Sequence, residues 1–396
     1  MSAAVRNAVE LLGGMGRFVR SGDRILVKPN LVAAVAAGSG AVTDPRVVAA
    51  VCTMAMEAGA AEVIVGESSM VSVDTRRAFR RSGMAGAARR LGLRCVDLKR
   101  QQQIVSAVAG KVLHEIEVPQ WLASYRIINV PLVKTHIQVG FSCAMKNLKG
   151  LVSDTTKRRI HYQGLKQGIV DLNGALKPVL NVVDGLVGME GPGAVEGDPV
   201  PLGLIIAGVN TVAVDRVASA AAGIDGEHIP YLFLAAEAGL GPARLSEIEI
   251  LGEAVADVQR PFRLPSEPIP SLPGLEVEER DACSACLYTT ASFLRARQPE
   301  VERILDEVRA AGKKLRVRMG CHLAPEESRE GDILFGNCAW EALHRIGLHV
   351  PGCPPGESSA LLDALKKASE DANPSGYRIR LSRGLKRAIT RRGGKR

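Results

Sequence analysis

Short apolar runs alternate with longer amphipathic segments along most of the chain. The run RILVK at 24–28 predicts a buried strand, DPRVVAAVCTMAMEAG at 44–59 predicts a helix, and AEVIVG at 61–66 predicts the next strand. Asp44 suits the N-cap of that helix, and Gly59 suits its C-terminal end. The rhythm continues with strands predicted at 93–97, 126–130, 179–183, 203–207 and 247–251 and helices at 211–222 and 230–239. Alternation of this kind predicts an α/β fold, with a mostly parallel sheet and helices on both faces.

The stretch 256–281 interrupts this rhythm, because it carries five prolines and little periodicity, and we interpret it as a linker. Beyond it, a smaller α/β unit is predicted from helices at 298–312, 338–346 and 358–369 and strands at 315–319 and 332–335. The predicted organisation is an α/β domain over 1–255, the linker, a small cysteine-bearing α/β domain over 282–376 and a basic tail over 377–396.

Charge is distributed unevenly along the 396 residues. The net charge is +9, and nine Lys and Arg lie between 378 and 396, where there is no Asp or Glu, so the rest of the chain balances 42 basic against 42 acidic residues. Such a tail can touch anionic surfaces, although a solvated end is the plainer interpretation. Without a separate nucleic-acid motif, no specific nucleic-acid binding is predicted.

The sequence predicts a cytoplasmic protein without a membrane span. We find no uninterrupted apolar run of about 18 residues, which is what a spanning helix needs. The start, MSAAVRNAVELLGGMGRF, lacks the basic and long apolar regions of a signal peptide. Thiols stay reduced in the cytoplasm, so a disulfide framework is disfavoured.

Five of the eight cysteines come after residue 280. Cys283 and Cys286 form a C-x-x-C pair, whose spacing lets two thiolates reach one metal. Cys338 lies at a predicted strand-to-helix turn, and Cys353 precedes two prolines in a rigid loop. Iron–sulfur clusters take four-cysteine ligation, so these four residues predict one [4Fe-4S] cluster.

Two other interpretations of the cysteines stay open. Structural zinc takes the same four thiolates, although zinc sites more often show two C-x-x-C pairs. A redox-active pair is the second alternative, because ERDACSACLYTTASFL leads into a predicted helix. Cys321, next to His322, is the fifth cysteine of this region and is not among the four predicted ligands, but it could replace one of them or line the cluster.

Polar side chains follow the predicted strands of the front domain. Lys28 and Asn30 lie in VKPNL, Lys134 and His136 follow the strand at 126–130, and MKNLKG supplies Lys146 and Asn147. Lysines just past the carboxyl end of a strand can hold a carboxylate or a phosphate. We therefore expect a small anionic substrate to be bound by Lys28, Asn30, Lys146 and Asn147, with Lys134 and His136 as catalytic residues.

A glycine-rich segment, VVDGLVGMEGPGAVEGD, follows the predicted strand at 179–183. We interpret it as a loop that brings Asp184 and Glu190 to the same edge of the sheet, where either could serve as an acid or base or as a metal ligand. The segment lacks the G-K-[ST] ending of a Walker motif, and the chain shows no strand–GxGxxG–helix unit. No nucleotide cofactor is therefore predicted.

Seven segments together resemble the domain-of-unknown-function 362 (DUF362) family: VKPNL, VTDPRVV, AGAAEVIVGE, VPLVKTH, MKNLKG, VVDGLVGMEGPG and NTVAVDRVA. Some members carry ferredoxin-like iron–sulfur modules, so the resemblance implies a cluster here as well. The cysteines do not match the compact ferredoxin spacing C-x₂-C-x₂-C-x₃-C. Instead, GNCA and VPGCPP are similar to cluster loops in the small subunits of respiratory oxidoreductases. A more remote similarity to nickel-pincer racemase folds implies no active-site residues for this chain.

The main hypothesis is an iron–sulfur oxidoreductase that exchanges electrons with a small anionic substrate, with a ferredoxin-type protein as the expected donor. The first alternative is a binding or carrier protein whose four cysteines hold structural zinc. The second is a redox-neutral isomerase or lyase in which a metal acts as a Lewis acid.

Overall fold

The structure is a computed structural model that describes residues 2–265, 269–355 and 358–372. The predicted basic tail at 377–396 lies outside the described residues. The chain divides into two compact units, the first formed by Met1–Pro270 and Asp281–Ala291 and the second by Ser271–Arg280 and Ser292–Arg396.

A large, mostly parallel sheet forms the centre of the first unit. The sheet contains β1 (Arg24–Pro29), β2 (Glu62–Glu67), β3 (Arg94–Asp97), β6 (Arg126–Val130), β7 (Leu132–His136), β8 (Gly140–Ser142), β9 (Leu180–Glu190) and β10 (Asp198–Gly208). A separate antiparallel hairpin is formed by β4 (Gln103–Ala107) and β5 (Glu115–Pro119). The order in the sheet is β3-β2-β1-β6-β9-β7-β8, with β10 also paired to β9. The β7–β8 and β9–β10 pairs are antiparallel, and the other pairs in this sheet are parallel.

Helices connect these strands and cover the sheet. They are α1 (Ser2–Glu10), α2 (Pro45–Glu57), α3 (Thr75–Arg81), α4 (Met84–Arg90), α5 (Ala144–Asn147), α6 (Asp154–Gln163), α7 (Leu165–Ala175), α8 (Thr211–Ala221), α9 (Pro230–Glu237) and α10 (Val255–Val258). Helix α2 begins as the sequence indicates, because the Asp44 side chain accepts a hydrogen bond from Arg46 N and Pro45 occupies the first turn.

Both faces of the central strands are buried. In β1, Ile25 and Val27 belong to one hydrophobic cluster, whereas Leu26 between them belongs to another. Side chains of a strand alternate between the two faces, so two clusters mean that the sheet has a core on each side. This arrangement confirms the predicted α/β class.

The second unit contains a four-stranded parallel sheet in the order β11 (Leu275–Arg280), β12 (Leu315–Gly320), β13 (Ile333–Phe335) and β14 (Leu348–Val350). The remaining helices are α11 (Ser284–Ala296), whose first turns belong to the first unit, α12 (Gln298–Ala310), α13 (Asn337–Ala342) and α14 (Ser358–Ala372).

Three details differ from the sequence-based expectations. The strand predicted at 247–251 is wrong, because a 3₁₀ helix at Leu245–Glu247 is followed by irregular chain. The supposed linker at 256–281 contains β11, whose residues are only partly apolar and gave a weak signal. Short strands were predicted at 179–183 and 203–207, whereas β9 and β10 are each 11 residues long and form an antiparallel hairpin.

Within the described residues, no helix combines the length and the apolar character needed to cross a membrane. The cytoplasmic location stays a prediction.

Candidate functional site

A polar pocket of about 130 Å³ lies in the first unit, near the carboxyl ends of β1, β2 and β7. The structure brings together here six residues that the sequence singled out: Lys28, Asn30, Lys134, His136, Lys146 and Asn147. Titratable residues with no assigned role also line it, namely Glu67, Lys149, Lys157 and His161. The expectation that strand ends would gather these basic and amide side chains therefore describes the actual geometry.

A buried ion pair forms one wall of the pocket. Lys28 is 1% exposed, and its Nζ lies 3.1 Å from Glu67 Oε2 and 2.8 Å from Asn147 Oδ1. Glu67 is 2% exposed and also accepts hydrogen bonds from the backbone N–H groups of Leu31 and Ser68, both at 2.8 Å. Burial lowers the pKa of Lys28, while the charge of Glu67 acts in the opposite direction. The carboxylate thus fixes both the lysine and the backbone at the ends of β1 and β2.

Lys134 is fully engaged with neighbouring acceptors. Its Nζ donates to Asn30 Oδ1 at 2.9 Å, to Ala41 O at 3.0 Å and to Ala194 O at 3.3 Å. Burial and the nearby Lys146 hold the pKa of Lys134 well below its usual value. Because three acceptors match its three ammonium hydrogens, Lys134 is suited to fix the pocket wall.

Two histidines, His136 and His161, line the pocket beside the lysines, and both are in the neutral form. Burial, followed by the charge of Lys146, lowers the pKa of His136 well below its usual value. His136 Nδ1 accepts a hydrogen bond from Gln138 N at 3.1 Å, so the neutral ring carries its hydrogen on Nε2. His161 Nε2 lies 2.8 Å from Lys149 Nζ, and burial and this lysine lower the pKa of His161 in the same direction.

Lys157 is held by oxygen atoms at the end of β2. Its Nζ donates to Ser68 O at 2.7 Å and to Ser69 O at 2.8 Å, and it pairs with Asp154 Oδ1 at 3.2 Å. Burial lowers its pKa to about 8. This lysine ties α6 to the β2 loop, because its partners lie on both.

Lys146 differs from the other lysines of the pocket. Across the described ranges its amine makes no hydrogen bond or ion pair, and the side chain is half-buried. Burial and the charge of Lys28 lower its pKa to about 8. An amine with this pKa is present in both its protonated and neutral forms near neutral pH.

The short helix α5 is positioned by Asp215 of α8. The Asp215 carboxylate accepts hydrogen bonds from Ala144 N and Met145 N, the first N–H groups of α5, and from Tyr231 Oη at 3.0 Å. Burial raises the pKa of Asp215 to about 7. Because α5 carries Lys146 and Asn147, this carboxylate orients the free amine without lying in the pocket lining.

The predicted acid–base candidates Asp184 and Glu190 do not line this pocket. The segment from 184 to 190 was expected to be a loop, which is wrong, because β9 continues through it. Asp184 instead accepts from Asp44 N at 2.7 Å, and burial raises its pKa to about 6. Glu190 accepts from Arg263 N at 2.9 Å. Among the described residues, Glu67 is the carboxylate in the lining.

Glu67 could have been found from the sequence, since it directly follows the predicted strand at 61–66 and obeys the same strand-end rule as Lys28. Lys157 and His161 carry no such signal. Both lie on α6, and only the packing of that helix brings them to the pocket.

The C-x-x-C pair lies at the start of α11, in the part of the chain that belongs to the first unit. A hydrogen bond from Cys286 lowers the pKa of Cys283 to about 6, with contributions from backbone N–H groups of the helix start and from Lys149. Ala285 and Tyr288, from the same turns, also line the polar pocket described above, which we call the lysine pocket because Lys28, Lys134, Lys146, Lys149 and Lys157 line it. Cys283 is therefore a thiolate close to the cationic group at neutral pH.

Cys338 and Cys353 lie in the second unit, after β13 and β14. Asn337 N donates to Gly352 O at 3.0 Å, and Gly352 N donates to Asn337 Oδ1 at 2.9 Å, so the two loops are neighbours. Cys321 follows β12 in the same sheet. The described residues contain no group of three or more His, Cys, Asp or Glu side chains arranged to hold a metal ion. The four-cysteine cluster stays a prediction.

Comparison with known proteins relates the chain to a protein family, to a curated relative and to a solved structure. The family profile described as "Domain of unknown function (DUF362)" matches residues 25–220. The thylakoid-associated protein sll1697 of Synechocystis sp. (strain ATCC 27184 / PCC 6803 / Kazusa) is 30% identical over 246 residues, 61% of this chain and 75% of that protein. The lactate racemase apoprotein from Thermoanaerobacterium thermosaccharolyticum aligns at 10% identity with a TM-score of 0.40, over 94% of this chain and 88% of that one. So low a score carries no inference about function.

Proposed function

This chain belongs to the DUF362 family, and we propose that it is an enzyme that binds a small organic anion in the lysine pocket. The observation that carries the proposal is the charge balance of the lining. Lys28, Lys134, Lys146, Lys149 and Lys157 surround a cavity whose described carboxylate is Glu67. An incoming carboxylate or phosphate would supply the negative charge that these amines lack.

The burial of the lysine amines favours the binding of an anion. The pKa values of all five lysines are lowered, because burial removes water that would otherwise stabilise the charged form. A bound anion stabilises the protonated amines and raises these pKa values again, so protonation and anion binding assist each other. The cavity of about 130 Å³ has room for about four groups of the size of a water molecule, which favours a small ligand.

Catalysis, as opposed to simple binding, is supported by the reactive groups beside the cations. The Lys146 amine and the Cys283 thiol have pKa values shifted towards the working range of acid–base or nucleophilic chemistry, and His136 lies in the same lining as a neutral imidazole. Such shifts cluster at functional sites, because burial and like charges are arranged there.

Anion binding is tested by calorimetry and thermal shift with inorganic phosphate, oxalate, malonate and pyruvate. We expect at least one of them to bind the wild-type protein and Lys149→Met to weaken that binding at least tenfold. Lys166→Met on α7 is the matched control, because it removes one exposed lysine outside the pocket. Absence of binding by every anion, or equal losses in the two variants, would contradict the proposal.

A more specific proposal is that this enzyme is an iron–sulfur oxidoreductase with one [4Fe-4S] cluster on Cys283, Cys286, Cys338 and Cys353. A ferredoxin-type protein would supply its electrons. The proposal is supported by the thiolate character of Cys283 and by the hydrogen bond between Asn337, next to Cys338 at the start of α13, and Gly352, next to Cys353. The cluster, when bound, would supply one-electron chemistry to the substrate in the lysine pocket.

Anaerobic purification with iron, sulfide and zinc analysis tests this finer proposal. We expect iron and sulfide in the wild-type protein, loss of both in Cys283→Ser and Cys338→Ser, and no change in Cys95→Ser, which alters a half-buried cysteine of β3. One zinc without sulfide would favour the structural-zinc alternative. A metal-free protein after anaerobic reconstitution would exclude both.

A further inference from the structure

Among the pocket lysines, the described residues leave one amine without a partner. Lys28 is paired with Glu67, Lys149 with His161 and Lys157 with backbone oxygens of the β2 loop. The Lys134 amine is likewise occupied by three acceptors. Lys146 makes no such contact, although it lines the same cavity. The cations that surround the cavity are thus fixed, and Lys146 is the one whose nitrogen lone pair can be presented to a ligand.

Burial, followed by the charge of Lys28, favours the neutral form of Lys146. It is electrostatically coupled to Lys28 of β1, to Lys134 and His136 of β7, to Lys149 next to α5 and to His161 of α6. Glu67, Lys157 and Tyr288 complete the titratable lining, and Glu67 is already engaged with Lys28. A primary amine among other cationic groups is a stronger nucleophile at neutral pH than a solvated lysine, because a larger fraction of it carries a lone pair.

We propose that Lys146 Nζ forms an imine with the carbonyl carbon of a small oxo acid whose carboxylate is held by the fixed cations of the lysine pocket. This inference rests on the proposed function and names its substrate class. The oxo acid combines the two groups that the pocket accommodates, a negative charge that balances the positive field of the surrounding lysines and an electrophilic carbon for the Lys146 amine. Its small size agrees with the cavity of about 130 Å³.

The reaction needs no oxidant or reductant. The neutral amine attacks the carbonyl carbon and forms a C–N bond, while the carbonyl oxygen takes up a proton and becomes a hydroxyl group. The nitrogen gives up one proton in this addition. The C–O bond then breaks, and the hydroxyl group leaves as water with the second hydrogen of the nitrogen, which leaves the imine. The neutral His136 ring, with its hydrogen on Nε2, lies in the same lining and is the described candidate for moving these protons.

A simple ion pair between Lys146 and the carboxylate is the competing role, and its pH dependence has the opposite sign. An ion pair needs the protonated amine, so it weakens as the pH rises through about 8. Imine formation needs the neutral amine, so its rate increases over the same interval.

The test uses the full chain with pyruvate and glyoxylate as probes and cyanoborohydride to reduce any imine. We expect a reduced adduct on the peptide that contains Lys146, and excess oxalate, which lacks a reactive carbonyl, should suppress it. The adduct should form at least about fivefold faster at pH 8.5 than at pH 7, because more of an amine with a pKa of about 8 is neutral at the higher pH. Lys146→Arg keeps a positive charge and should abolish the adduct, whereas Lys166→Met should leave it unchanged. Mapping the adduct in the wild-type protein keeps the test valid if the arginine variant fails to fold.

Two results would overturn the inference, and they are distinguishable. Binding of pyruvate or glyoxylate without an adduct on Lys146, or with adducts spread equally over exposed lysines, refutes the imine and leaves the anion site intact. Failure of every anion to bind in calorimetry removes the anion site and the imine together.

Discussion

Replacing Glu67 with Gln should destabilise the protein by about 3–5 kcal/mol, because it leaves the buried Lys28 ammonium without its counter-charge. The structure explains why the loss is near this size. Both side chains are almost completely buried, so water cannot replace the missing partner. The Glu67 oxygens also accept hydrogen bonds from Leu31 N and Ser68 N, and an amide offers only one oxygen to these donors. Lys28→Met should have a cost of similar size, because it leaves the carboxylate buried and unpaired.

The double variant distinguishes the pair from general damage. If the ion pair is responsible, Lys28→Met with Glu67→Gln should be less destabilised than the sum of the single variants, by about 1–3 kcal/mol. Urea unfolding followed by circular dichroism measures all four proteins, and the slope of the transition must stay constant for the comparison to hold. Additive free energies within about 0.5 kcal/mol would refute the reasoning.

Three further predictions concern the same unit. Gly150→Ala should cost about 1–3 kcal/mol, because a methyl group there would press against the buried ion pair, whereas Gly174→Ala, which meets nothing within 4 Å on α7, should be neutral or stabilising by up to about 1 kcal/mol in the same urea assay. The pKa of Lys157 falls from 10.5 to about 8 on folding, so the unfolded chain holds the extra proton between these values and stability should rise over this interval by at most about 3 kcal/mol. In a Lys157→Met protein measured from pH 7.5 to 10.5 the rise should be smaller by this amount, because only the other pocket lysines still titrate, and an unchanged slope would contradict the assignment. Cys283, with a pKa of about 6, should react with iodoacetamide at pH 7 at least tenfold faster than Cys95, whose pKa is raised to about 11. Peptide mapping of the reduced, metal-free protein checks this order, and equal rates would refute it.

The lysine pocket illustrates how a site can be built at the expense of stability. Several amines are desolvated in one place, and burial favours their neutral forms. The fold compensates with Glu67, backbone oxygens, side-chain amides and the His161 ring for all of them except Lys146, whose amine has no partner within the described residues. An engaged amine gives rigidity, and an unengaged one leaves capacity for a ligand.

Several front-domain elements could be read from the sequence, because local periodicity and caps specify them. The strands near 24–28, 61–66 and 126–130 appear within one or two residues of their predicted ends, as does the helix capped by Asp44. The less apolar strand β11 and the irregular stretch at 247–251 were misjudged, because pattern alone cannot show whether a short segment finds a neighbouring strand.

The strand-end pattern of the sequence was enough to predict that Lys28 and Lys134 would meet, because residues near the carboxyl ends of parallel strands share one edge of the sheet. The position of Lys146 on α5, and the absence of a partner for its amine among the described residues, depend on the packing of the fold. Partners such as Glu67 for Lys28 and Ala41 O for Lys134 come from segments distant in the chain, and no local pattern encodes that pairing. The same limit applies to Asp184, which the sequence assigned to the site and the packing of β9 placed elsewhere. Strand direction is a local property, whereas the hydrogen-bond partner of a buried side chain depends on the whole fold.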